Sequence, residues 1–92
     1  METYIVLIPL AENRDARKQC EEIENIHITM LHPNANTVKD RIIKFIGETR
    51  TNNLNSIEVE PLTDFMDRVN NQEFEDGNYF MSYVNVYPFK SF

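Results

Sequence analysis

TYIVLIPL, residues 3–10, decides how the rest of this chain is arranged. The run is rich in branched and aromatic side chains and alternates Tyr4, Val6 and Ile8 with Ile5 and Leu7. Both alternating sets are apolar, so both faces of the strand demand cover. Such a strand belongs inside a sheet rather than at its edge. Pro9 closes the run.

Outward from this strand the pattern changes to helical and back again. Glu12 to Ile23 reads as a polar helix with a thin apolar stripe of Ala16, Cys20 and Ile23. Asn25 to His32, NIHITMLH, reads as a second strand, sending Ile26, Ile28 and Met30 to one face and His27, Thr29 and Leu31 to the other. Pro33 cannot donate to a ladder and ends it. Thr37, followed by Asp40, is expected to cap a second helix with Val38, Ile42, Phe45 and Ile46 on its inner side and Gly47 at its end. Leu54 to Glu60 is expected as a third strand, Ile57 and Val59 inward and Glu58 and Glu60 outward. Thr63 or Asp64 is expected to cap a short third helix buried through Phe65, Met66 and Val69. Asn70 to Gly77 is a polar connection, and Asn78 to Tyr87 is the last strand. The expected architecture is α+β: one domain over residues 1–92, order β-α-β-α-β-(α)-β, a four-stranded mixed or antiparallel sheet with two to three helices on one face.

Ninety-two residues, 41% apolar and 11% aromatic, suffice for one modest core. No apolar run approaches the roughly 20 residues that span a bilayer, and the first ten residues lack the basic leader and cleavage site of a signal peptide. The single Cys20 has no internal disulfide partner, which points to a reducing, cytoplasmic setting. A net charge of −6 argues against binding nucleic acid, which requires Lys and Arg arrays. Two glycines cannot build a phosphate-cradling loop. His27 and His32 fall on opposite strand faces, so no metal set is expected, nor any other cofactor. Cys20 lies among acids, which oppose thiolate formation.

Two patterns carry chemistry. His27-Ile28-Thr29 places an imidazole and a hydroxyl on one strand face, about 7 Å apart from the strand rise. With the preceding strand, polar helix and ENIHITML at residues 24–31, this resembles one lobe of the 2H phosphoesterases. That resemblance implies His27 as general acid or base and Thr29 on the oxygens of a cyclic phosphodiester. The family uses two such motifs facing each other, and the later strand offers only Tyr83-Val84-Asn85, so the alternative needs a homodimer.

The second pattern is charge. Residues 51–92 carry seven acids and two bases, against eight and seven in residues 1–50, so five of the six net negative charges lie in the C-terminal part. Glu58, Glu60, Asp64, Asp67, Glu73, Glu75 and Asp76 fall within twenty residues with Arg68 as their one base. Glu58 and Glu60 are spaced roughly 6–7 Å apart along a strand face, and Asp64 and Asp67 roughly 5–6 Å apart on a helix. Those intervals are close to the spacing of phosphates on a nucleic-acid strand, and these seven acids are the expected partner-binding residues. In length and acidity the chain resembles the T-even phage anti-restriction nuclease proteins, a family of DNA mimics. The resemblance implies a non-enzymatic inhibitor that binds a host DNA-binding protein, a modification-dependent restriction endonuclease or a nucleoid protein, in the host cytoplasm. It also implies a homodimer, which would double the −6 of one chain.

Overall fold

Strand β1 (Glu2–Pro9) is interior, as its two-sided apolar run requires: Tyr4, Ile5, Val6, Leu7 and Ile8 are all fully buried. The computed structural model describes residues 1–47, 52–73 and 77–89. After β1 come α1 (Ala16–Glu24), β2 (Ile28–Met30), α2 (Ala35–Ile46), a 3₁₀ turn (Leu54–Ser56), β3 (Glu58–Pro61), α3 (Leu62–Asn70) and β4 (Tyr79–Pro88). The strands form one mixed sheet in the order β2-β4-β1-β3. β1 is antiparallel to β3 and β4, and β2 runs parallel to β4. The fold is a small α+β domain with three helices.

The helices do not share one face, contrary to expectation. α1 and α2 cover Tyr4, Val6 and Ile8 with Ala16, Cys20, Ile23, Val38 and Ile42, joined by Ile28, Val84 and Val86. α3 lies on the opposite face, where Phe65 and Leu62 pack on Ile5 and Leu7. The reason lies in β1: two large side chains on its second face would otherwise be wet, at roughly 1.5–3 kcal/mol each.

Element boundaries moved where side chains bonded to nearby backbone. The cap of α2 lies three residues before Thr37, at Asn34: its Oδ1 accepts from Thr37 N, and Thr37 Oγ1 accepts from Asn34 N, both at 3.0 Å. Thr37 is the third helical residue of that capping box rather than the cap itself. α2 packs on β3 as well as on α1, with Ile43 partly buried and Phe45, expected inside, exposed. Gly47 ends it at φ 78°, with its N–H on Ile43 O at 2.8 Å.

β2 is shorter than the Asn25–His32 run. The N–H groups of Asn25 and Ile26 close the end of α1 on Glu22 O and Ile23 O instead of joining the sheet. α1 itself starts at Ala16, four residues after Glu12, because Glu12 and Asn13 donate back to Pro9 and Leu10 carbonyls in turns. β3 loses its first residues to the 3₁₀ turn, where Asn53 Oδ1 accepts from Asn55 N at 3.2 Å. α3 starts at Leu62 behind Pro61, with no side-chain cap, so Thr63 and Asp64 sit inside its first turn. Met66 and Val69, expected inside, are exposed on it, and Phe65 alone of the three is buried.

Candidate functional site: an acidic layer and a polar sheet face

The register of β3 on β1 places the acids. Val6 pairs with Val59, while Leu7 and Ile5 pair with Glu58 and Glu60. Both glutamates therefore project to the face that α3 covers. Glu60 is held there: Arg68 of α3 donates Nη2 at 2.6 Å and Nε at 3.1 Å to its Oε1. Arg68 also lies over the Phe65 ring at 6.0 Å, so the guanidinium spans the buried and the charged parts of this layer. Glu58 is exposed and borders a groove of about 290 Å³ shared with Lys39, Glu60 and Arg68. Lys39 Nζ is directed to Asn55 O at 2.8 Å.

Asp64 and Asp67 project from α3 on the side away from Phe65, and both are exposed, as is Glu73 beyond the helix. Glu75 and Asp76 lie outside the described residues. The expected row of acids is thus split into a strand pair beside cations and a helix pair facing water. Burial pushes the Tyr4 hydroxyl above its ordinary value, and the charge and hydrogen bond of Glu2, then the charge of Asp64, push it the same way.

Cations follow the opposite pattern. Arg14, Arg17 and Lys18 belong to α1 and the turn before it, and Lys39, Arg41 and Lys44 to α2. Those helices lie across the sheet from α3, whose one base is Arg68. An uneven distribution along the chain becomes an uneven distribution between two layers.

The H-x-T pair sits on the part of the α3-side face that α3 leaves open. Thr29 is level with Tyr87 in the β2–β4 register and is exposed. His27, also exposed, stacks on Tyr87 with ring centroids 4.6 Å apart and planes 18° apart. Tyr83 and Asn85 share this face, and Asn85 Oδ1 accepts from Thr3 Oγ1 at 2.8 Å. Tyr83 and Asn85 lie beside His27 and Thr29 in one sheet, not opposite them across a cleft. His32 is exposed past the end of β2, in a left-handed conformation at φ 48°.

No family model, curated protein or solved structure matches this chain. Cys20 is buried, and desolvation, then Glu24 and Glu21, push its thiol up to about 11. It is protonated at neutral pH and a poor nucleophile. Among the described residues, no three His, Cys, Asp or Glu side chains converge as a metal site would require. Among the same residues, no helix is long and apolar enough to cross a membrane.

Proposed function

We propose that this protein acts by occupation: its acidic β3–α3 layer binds the basic surface with which a DNA-processing enzyme holds DNA. One observation carries the reading. At this layer Arg68 is engaged by Glu60 and Lys39, at the margin of the same groove, directs its Nζ to Asn55 O, while Glu58, Asp64, Asp67 and Glu73 are exposed and the remaining described bases lie on α1, the turn before it and the rest of α2. A partner that binds DNA presents Lys and Arg already spaced for phosphates, and carboxylates at similar spacing inherit the attraction. A homodimer belongs to this reading, because two chains present twice the −6 of one. The protein is then an inhibitor of anti-restriction type without turnover of its own.

The test is inhibition of a modification-dependent restriction endonuclease, measured against DNA concentration and salt. Competition with DNA and loss of inhibition as salt rises are expected, with a screening length of about 8 Å at physiological ionic strength. Replacing Glu58, Glu60, Asp64 and Asp67 together by their amides is expected to weaken inhibition tenfold or more. Undiminished inhibition by the folded quadruple variant would reject the reading.

A second reading draws on His27 and Thr29, which share the open sheet face with the Tyr87 ring against His27. It makes the chain a one-lobe phosphodiesterase, completed by a second copy across that face. Turnover of cyclic nucleotides or cyclic dinucleotides that disappears with His27→Ala would establish it over the first.

A further inference from the structure

The two edges of the sheet are guarded very differently. β3 is one edge, and it carries Glu58, Glu60 and Pro61, with Arg68 folded against it and α2 packed alongside. Charges and proline are the ordinary means of stopping another strand from pairing. β2 is the other edge, and Ile28, Thr29 and Met30 include none of these devices. Among the described residues β2 has β4 on one side and no strand on the other, so its outer edge offers backbone N–H and C=O groups to a further strand.

Beside β2 runs an open groove of about 370 Å³ whose lining includes Thr29, Met30 and Leu31 from the strand and Phe89 beyond β4. Its far wall is α2, with Arg41 and Lys44 against the single acid Asp40. Leu31 and Phe89 are 42% and 49% exposed, which leaves apolar surface in the groove for an incoming side chain. The charged lining sums to one net positive charge on a chain of −6. The groove between Asp15, Lys18 and Glu22 near the start of α1 is net negative by the same count. The β2 groove therefore selects against the acidic layer's own basic partner and for something acidic.

We propose that the β2 edge and this groove form a docking site for an extended peptide segment of another protein, with apolar and acidic residues in alternation. Its backbone adds a strand to β2, its apolar side chains on one face lie against the exposed Leu31 and Phe89, and its carboxylates on the other face meet Arg41 and Lys44 of α2. Three residues of edge supply few hydrogen bonds, so binding requires the charged contact as well as strand pairing. A second copy pairing β2 to β2 would bring four cations together and is disfavoured. The site lies apart from the acidic layer, and its occupation does not depend on the inhibitory role.

The probe is a fluorescein-labelled octapeptide of alternating valine and glutamate, titrated with the full chain and followed by anisotropy. Saturable binding is expected, weakened at least tenfold by Arg41→Glu with Lys44→Glu, and unchanged by Asp64→Asn with Asp67→Asn. The same peptide N-methylated at alternate residues is expected not to bind, a comparison made on the unaltered protein and independent of any variant's folding. A peptide with lysine for glutamate is expected to lose the groove as well. The proposal is overturned by absence of saturation, by equal binding of the N-methylated peptide, or by binding that survives charge reversal. Concentration-dependent self-association abolished by Arg41→Glu would also overturn it, since a second copy would then be the occupant.

Discussion

The two faces of the sheet differ in depth as well as charge. Among the described residues, fourteen buried ones form one cluster on the α1–α2 side, drawn from three strands, the two helices and the segment before β3. Under α3 lie three, Ile5, Leu7 and Phe65. The first layer closes the domain. The second covers the residual apolar surface of β1 with a short helix whose outer side is left to acids. Most of the buried core thus lies on one side of β1 and the acids of α3 on the other, and each is expected to be alterable with little effect on the other.

The most damaging test of that division is a deletion in the thick layer. Ile42→Ala is expected to cost about 2–5 kcal/mol, because a fully buried side chain between α2 and the sheet leaves a cavity that rigid neighbours cannot close. Urea unfolding measures it, and the whole chain should lose stability in one transition. Phe65→Ala is expected to cost less than that range for phenylalanine implies, about 2–3 kcal/mol, because a helix at the margin of a three-residue cluster can settle inward. Hydrogen exchange should then show α3 opening while α1, α2 and β1 stay protected. Equal destabilisation by the two substitutions, with uniform loss of protection, would erase the distinction between the layers.

A smaller effect comes from pH and belongs to the thick layer alone. The Cys20 thiol is held up to about 11, above its ordinary value of 9, chiefly by burial. An unfolded chain therefore releases this proton at lower pH than the folded one, and between pH 9 and about 11 the native state holds more protons. Stability must fall with rising pH across that window and be unaffected by this group below it. Tyr4, also raised, adds a loss of the same sign at higher pH, so the slope is compared between the natural chain and Cys20→Ala. A slope unchanged by the substitution would show that the thiol is not shielded.

The smallest change in stability is expected on the acidic side. Neutralising Glu58, Glu60, Asp64 and Asp67 together removes one partly exposed ion pair, worth about 0–1 kcal/mol, and relieves repulsion among exposed carboxylates. The melting temperature should move by only a few degrees in either direction, checked by calorimetry. A large loss would mean that Glu60 and Arg68 anchor α3 and that the charged layer is structural.

Much of this molecule is legible without coordinates. The double apolar alternation of Tyr4 to Ile8 requires an interior strand, and the alternation in β4 separates Tyr79, Met81, Tyr83 and Tyr87 from Phe80, Val84 and Val86. The excess of acid after residue 50 is likewise a property of the chain itself. Periodicity reports which side of an element is apolar, because side-chain direction follows from local geometry. Periodicity does not report which element arrives to cover that side. Tertiary packing alone placed α3 opposite the other helices, gave Arg68 to Glu60, and left His27 and Thr29 on an open face. These are contacts between residues far apart in the chain, settled by competition for buried surface, and local sequence carries no record of who wins it.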